Sequence, residues 1–139
     1  MPISVFATEG VLTEAAEARV FAELTDAFLR QHALTGNSFL TPNVIGEINT
    51  IPAGKSFAGG KRADIVIVEL KVPSFALAEP AQKAAFVADA TDIVHRATGG
   101  RQPKERIFVN MVYAIDGLWG ISGRAYSNAD LLDAVSRAA

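Results

Sequence analysis

The sequence contains no cysteine, which excludes disulfides, zinc–thiolate sites and thiol nucleophiles. The chain has no excess of cationic side chains: it contains thirteen Lys and Arg and fifteen Asp and Glu, which gives a formal net charge of −2. No basic block is long enough to neutralise a run of phosphates, so a nucleic-acid partner is not expected. The chain has no apolar run of the roughly 18 residues that a membrane span needs, and no signal-like N-terminus. We therefore expect a cytoplasmic protein that does not associate with membranes.

Several common motifs for catalysis and ligand binding are also missing. The Gly-Lys-Ser triplet at 54–56 resembles the end of a phosphate-binding loop, but Asn49 occupies the place of the required glycine. The glycines of residues 117–123 do not have dinucleotide-binding spacing, and Ser122 lacks the frame of a hydrolase nucleophile. No element carries His, Asp or Glu at metal-ligand spacing. We therefore expect neither a metal nor a cofactor.

The residues that are present are typical of an ordinary globular core. Half of the 139 residues are hydrophobic and 20% are charged. Domains cluster near 100–150 residues. The chain is therefore expected to form one domain over residues 1–139.

The first half of the chain reads as strand, helix, strand. Residues 3–7 are rich in β-forming side chains, and Thr13 is placed to cap a helix that continues to about His32. Residues 44–51 then predict a second strand. The glycine-containing loop at 52–61 predicts a turn between two halves.

The second half repeats this order. Residues 64–70 predict a third strand, and the apolar run at 65–68 indicates that both of its faces are buried. Pro80 suits the first turn of a second helix. Residues 107–114 predict a fourth strand, and residues 128–137 a short last helix after a glycine-rich loop.

The two halves, at about 2–57 and 62–126, therefore look like an approximate duplication. Each helix is long enough for a right-handed crossover between parallel strands. The pattern predicts an α/β (α+β) fold with a four-stranded mixed sheet and two helices on one face. The other face needs a cover, so we expect sheets of neighbouring subunits to pack together in a homo-oligomer.

The N-terminal Met-Pro pair suggests one unusual chemical group. Removal of Met1 would expose the secondary amine of Pro2, whose pKa would lie near or below about 8 in an apolar cleft. Such an amine can accept a proton from a carbon next to a carbonyl. Many proteins also begin with Met-Pro without any catalytic role, so the pair alone leaves both interpretations open.

Four sequence segments, together with Met-Pro and the duplication, resemble the tautomerase superfamily over nearly the whole chain. Glu23–Phe28 (ELTDAF) with Pro52–Gly60 (PAGKSFAGG) is similar to the cis-3-chloroacrylic acid dehalogenase group. Arg106–Tyr113 (RIFVNMVY) is similar to macrophage migration inhibitory factor. Asp116–Tyr126 (DGLWGISGRAY) resembles both that factor and malonate semialdehyde decarboxylase.

The resemblance implies a cofactor-independent β-α-β enzyme, a homotrimer, with Pro2 as its base. It places Asn110 in the same cleft as a hydrogen-bond donor to the substrate, and it makes Trp119 an aromatic wall. Strand alternation agrees in placing Phe108, Asn110 and Val112 on one face. A core or interface role for Trp119 remains open.

The sequence departs from the dehalogenase and decarboxylase groups at their carboxylate-binding positions. Val72 and Phe75 stand near the places of the arginines, and Phe28 replaces the dehalogenase histidine. Positive charge would have to come from Lys71 or Arg124. A cleft lined by Val72, Phe108 and Trp119 would favour a more apolar substrate.

We therefore expect an isomerase that catalyses keto-enol tautomerisation or double-bond isomerisation of a small keto acid or aryl pyruvate-like compound. A hydrolytic dehalogenase or decarboxylase is the second interpretation, with Asp116 or Glu69 as the acid that activates water. A non-catalytic trimeric binding protein is the third, and it gains support if Met1 is retained.

Overall fold

Two strand–helix–strand units join in one sheet. The structure is a computed structural model that describes residues 1–138. Its elements are β1 (Pro2–Thr8), α1 (Glu14–Gln31), β2 (Ile45–Ile51), β3 (Phe57–Ala58), β4 (Lys61–Arg62), β5 (Val66–Pro73), α2 (Pro80–Ala97), β6 (Ile107–Ala114), β7 (Trp119–Ile121), β8 (Arg124–Tyr126) and α3 (Asn128–Arg137).

The main sheet has the strand order β2-β1-β5-β6. Each unit contributes a parallel pair, β1 with β2 and β5 with β6, and the central β1 and β5 are antiparallel. The core lies between the sheet and α1 and α2. The predicted mixed sheet with two helices on one face is confirmed.

The helices begin where their capping residues predict. The hydroxyl of Thr13 accepts a hydrogen bond from the backbone N–H of Ala16 at 3.2 Å, which satisfies one of the free donors of the first turn of α1. At the start of α2, Pro80 occupies the first turn, and the Gln82 side chain accepts from the N–H of Glu79 at 3.3 Å. Among residues 1–138, neither these helices nor α3 combines the length and apolar character of a bilayer-spanning segment.

The third strand differs from its prediction at both ends. Ile65 lies outside β5, because its N–H donates to the hydroxyl of Thr8 at 3.0 Å instead of continuing the ladder. The strand extends to Pro73 by pairing with Ala114. In the single chain the two faces of β5 are buried to different degrees: Val66 and Val68 face the helices and are fully buried, whereas Ile65 and Ile67 are half-buried.

The glycine-containing loops form two small hairpins that the sequence analysis missed. Gly59 and Gly60 connect β3 to β4, and Ser122 and Gly123 connect β7 to β8. All four residues have positive φ, between 52° and 78°. Two consecutive residues with positive φ make a tight turn whose twist matches that of paired strands. The glycines therefore mark hairpin turns and not flexible loops.

The second face of the sheet, which we call the open face, has no helix over it. A polar row crosses it through Glu47, Ser4, Glu69 and Asn110, which are successive partners in the strand register. The Ser4 hydroxyl donates to Glu47 at 2.6 Å. The next row contains Phe6, Ile67 and Phe108. The open face thus combines apolar side chains with this polar row, and Asn49 adds a polar side chain to the next row beside Phe6.

At Gly46 in β2 there is no room for a side chain, because β1 and α1 lie too close to its backbone. A Cβ atom there would lie 1.9 Å from the carbonyl oxygen of Ile3 and 2.6 Å from the ring of Phe21. Gly46→Ala should therefore force the backbone apart and lower the free energy of unfolding by about 3 kcal/mol. Urea-induced unfolding measures this free energy. Gly120→Ala, where nothing lies within 4 Å, is the matched control and should change stability by less than about 0.5 kcal/mol. Equal losses in both would contradict this packing.

Candidate functional site

The N-terminal residue is held inside the structure. Met1 is only 5% exposed, and its amine donates a hydrogen bond to the backbone carbonyl of Asn43. Its carbonyl oxygen accepts from the N–H of Ile45 at 3.2 Å. These bonds extend the β1–β2 ladder to the first residue, so the position of the chain start is fixed.

A cavity of about 490 Å³ lies on one side of this residue. We call it the N-terminal cavity. Met1, Pro2, Asn43 and Ile45 line it together with residues 118–122, which include β7. The structure therefore brings Pro2 and Trp119 into one cavity.

A second cavity of about 510 Å³ lies on the other side. The end of α1, the segment after β5 and α3 enclose it, and we call it the helix-side cavity. Phe28, Phe75 and Leu132 contribute apolar walls, and His32 contributes an imidazole. Met1 lines this cavity too, so it is the residue that the two cavities share.

The N-terminal amine titrates abnormally at this position. Burial disfavours its charged form and lowers the pKa of the Met1 amine from the ordinary value of 8.0 to about 6. An amine with this pKa is mostly uncharged at neutral pH. Burial alone therefore keeps this amine uncharged and able to accept a proton.

Pro2 itself is not basic while Met1 is attached, because its nitrogen belongs to a peptide bond. It pairs with Ile45 in the parallel ladder, which fixes the ring at the edge of the N-terminal cavity. Loss of Met1 would turn that nitrogen into a terminal secondary amine and would remove the residue that separates the cavities.

Asn110 and Phe108 lie on the open face but not beside Pro2. Asn110 pairs with Glu69 of β5, which pairs with Ser4 of β1. Two strand spacings of about 4.8 Å separate Asn110 from β1. Within one chain the structure therefore does not bring Asn110 to the N-terminal cavity.

The placement of Val72 in the cleft needs correction. Val72 is fully buried against the helices with Leu70, on the opposite face from Asn110. The side chain of the preceding residue, Lys71, does point to the open face, where its amine lies 3.4 Å from Glu69. A shift of one residue along a strand exchanges the two faces.

Arg124 has partners within its own hairpin and α3. Its guanidinium donates to Asp130 at 2.8 Å and lies 4.6 Å from the ring centre of Tyr126. It lines neither of the two large cavities. The structure therefore gives Arg124 a role in attaching β8 to α3.

The two acids of the hydrolytic interpretation are also engaged elsewhere. Asp116 accepts a hydrogen bond from the N–H of Asn128 at 2.6 Å, at the start of α3. Glu69 faces Lys71. Neither lines a large cavity, and within residues 1–138 no group of three or more His, Asp or Glu is arranged to hold a metal ion.

Sequence reasoning missed His32 as a site residue. Its place at the end of α1 suggested a cation favoured by the helix dipole. The structure shows the reverse, because burial lowers the pKa of His32. No local pattern distinguishes the two cases, since the burial comes from α3 and the segment after β5, which are far away in sequence.

Solved structures of tautomerase-superfamily proteins share this fold. A fused 4-OT wild-type symmetric trimer aligns with a TM-score of 0.76 at 16% identity, over 94% of this chain and 98% of that one. N1, a member of the cis-3-chloroacrylic acid dehalogenase family, aligns with a TM-score of 0.75 at 18% identity, over 99% of both chains. A malonate semialdehyde decarboxylase inhibited by 3-bromopropiolate aligns with a TM-score of 0.68 at 12% identity, over 88% of this chain and 89% of that one.

These likenesses confirm the resemblance at the level of the fold. No protein-family model and no curated protein sequence matches the chain. The three similar structures carry different names, a 4-OT, a dehalogenase-family member and a decarboxylase. The choice among activities therefore depends on the residues of this chain.

The amine of Met1 should titrate with a midpoint near pH 6 in the folded protein. The unfolded amine titrates near 8, so the unfolded chain binds more protons between these values, and stability should fall as the pH drops from 8 to 6. An NMR titration of the Met1 α-carbon measures the midpoint directly. Protein acetylated at the N-terminus is the control and should lack this transition. A midpoint near 8 would contradict the burial.

Proposed function

We propose that the chain is a cofactor-independent tautomerase or isomerase in which Pro2, freed by loss of Met1, is the general base. The substrate would be a small keto acid or an aryl pyruvate-like compound, converted between keto and enol forms or between double-bond isomers. One observation carries the proposal: Pro2 lines the N-terminal cavity and is bonded to Met1, the residue that lines both cavities.

The position of the Pro2 nitrogen supports the role of a base. It is bonded directly to the residue that lines both cavities, so removal of Met1 would leave the new amine at their boundary. Pairing of Pro2 with Ile45 in β2 holds the residue, and the closed pyrrolidine ring limits the motion of its nitrogen. A positioned, uncharged amine can abstract a proton next to a carbonyl without the cost of ordering a side chain.

The N-terminal cavity also has groups that suit the developing enolate. Trp119 supplies an apolar wall and an indole N–H, and Ser122 supplies a hydroxyl. Hydrogen-bond donors directed at the substrate oxygen would stabilise its negative charge as the proton leaves carbon. Asn110 would join them from a neighbouring copy of the chain.

Self-association is part of the proposal, because the open face exposes large apolar side chains. Phe108 is 43% exposed and Val112 is 45% exposed, although both belong to the central sheet. The fused 4-OT with this fold is described as a symmetric trimer. A homotrimer would cover the open face and would bring Asn110 of one copy toward another copy.

The hydrolytic and non-catalytic interpretations have less support. Dehalogenation or decarboxylation by water needs an acid that activates the water, and Asp116 and Glu69 both have other partners. A purely binding protein would follow if the mature chain retained Met1, since Pro2 would then have no free amine. Intact mass measurement distinguishes that case.

Protein without Met1, verified by intact mass, should catalyse ketonisation of enol-phenylpyruvate. Protein that keeps Met1 should be slower by about 10²-fold in kcat/KM, because a general base contributes at least that much. Pro2→Ala in the Met1-free form retains a primary amine and should lose about tenfold or more. A haloacrylate assayed in parallel should give no turnover. Equal ketonisation rates in all three proteins would disprove the role of Pro2.

Phe108→Asp should convert the assembly to monomers, because a buried carboxylate without a partner opposes association. Light scattering coupled to size-exclusion chromatography measures the mass. Val87→Asp is the matched control, since Val87 is 37% exposed on α2, away from the sheet, and it should leave the mass unchanged. A wild-type protein that is monomeric at micromolar concentration would contradict the proposed trimer.

A further inference from the structure

The peptide bond between Met1 and Pro2 must be hydrolysed before the Pro2 nitrogen becomes an amine. The reaction consumes one water molecule: the water oxygen bonds to the carbonyl carbon of Met1, the C–N bond breaks, and the Pro2 nitrogen takes up a proton as free methionine leaves. An aminopeptidase that catalyses this step has to enclose the terminal amine, the first side chain and the first carbonyl in its own active site.

The fold already engages these groups of Met1. The amine donates to the carbonyl of Asn43, the carbonyl oxygen accepts from the N–H of Ile45 at 3.2 Å, and the whole residue is buried. The two cavities beside Met1 have volumes of about 490 and 510 Å³, which admit a small molecule but not the active site of another protein. An aminopeptidase therefore cannot bind Met1 where it lies in the folded chain.

Exposing Met1 also requires more than the movement of a loose end. Pro2 begins a run of seven residue pairs between β1 and β2 that ends at Thr8 and Ile51. The next residue, Ile3, is fully buried in the core. Drawing Met1 into another active site therefore breaks its two hydrogen bonds and pulls the start of β1 out of the sheet. Such an opening is part of the unfolding of the β1–β2 pair.

These obstacles are absent while the chain is being synthesised. The amine of Met1 and its acceptor at Asn43 are 42 positions apart, so their hydrogen bond cannot form until β2 has also emerged. At about 5–20 residues per second, this delay lasts for seconds. During that time Met1 is an ordinary free chain end.

We propose that the Met1–Pro2 bond is a cleavage site for an aminopeptidase only until β1 pairs with β2, and that folding with Met1 attached preserves the uncleaved form. The sheet then determines, at the time of folding, whether the Pro2 nitrogen is an amide or an amine. The inference concerns cleavage and not catalysis. It therefore stands even if the Pro2 amine has no catalytic role.

Cell-free synthesis tests the order of cleavage and folding. A reconstituted eukaryotic translation system starts chains with unformylated methionine, and methionine aminopeptidase is either present during synthesis or added after folding. Intact mass should show loss of Met1 in the first sample and its retention in the second. Cleavage of the folded protein should be at least about 10²-fold slower than that of a free peptide of residues 1–10, because only the opened fraction is a substrate.

Two glycine substitutions test whether pairing is what protects Met1. Gly46→Ala places a Cβ 1.9 Å from the carbonyl oxygen of Ile3 and weakens the pairing of β1 with β2. In the folded protein it should speed Met1 removal about tenfold or more, together with hydrogen exchange of the Ile45 amide, because both require the same opening. Gly120→Ala, where nothing lies within 4 Å, is the matched control and should leave both rates at the wild-type values.

Three results would overturn the inference. These are cleavage of the folded wild type at the rate of the peptide, equal loss of Met1 in the two synthesis samples, and equal cleavage rates in Gly46→Ala and Gly120→Ala although Ile45 exchanges faster in the first. The wild-type comparison decides the question even if Gly46→Ala fails to fold. Since mass is the readout, an inactive Met1-free protein would count against the proposed function alone.

Discussion

The structure depends on parallel pairing that starts at the first residue of the chain. The carbonyl of Met1 accepts from Ile45, and its amine donates to the carbonyl of Asn43, so β1 is held against β2 from its beginning. Chain ends are usually loosely held unless they are tied into a sheet. Here the pairing places the terminus between two cavities, removes water from its amine and sets the position of Pro2. The proposed function uses the space that this pairing defines.

Local sequence signals predicted the elements well wherever the signal lies within a few neighbouring residues. Thr13 and Pro80 mark the helix starts, and residues 107–114 match β6 because their flanking turns are local. The ends of β5 were predicted less well, since the side chain of Thr8 ends the ladder at Ile65. That contact joins residues 57 positions apart, and no local pattern contains it.

The site was predictable only in part, for a related reason. Pro2 and Trp119 line one cavity, whereas Val72 faces the core, because strand faces alternate and a resemblance places residues only approximately. Asn110 lies on the expected face, yet two strands separate it from Pro2. His32 was missed because its burial depends on distant segments. The sequence therefore indicated which residue types could act in a site, but it did not predict which residues from distant segments lie next to one another.

The polar row on the open face has a consequence for how copies of the chain can meet. Glu47, Ser4, Glu69 and Asn110 lie side by side, with Phe6, Ile67 and Phe108 in the adjacent row. Two uniformly apolar sheets could pack against each other in several alignments. A sheet crossed by carboxylates favours alignments in which these groups meet water or hydrogen-bond donors. The row therefore disfavours displaced alignments of two such sheets, and it also lowers the apolar area that any alignment could bury.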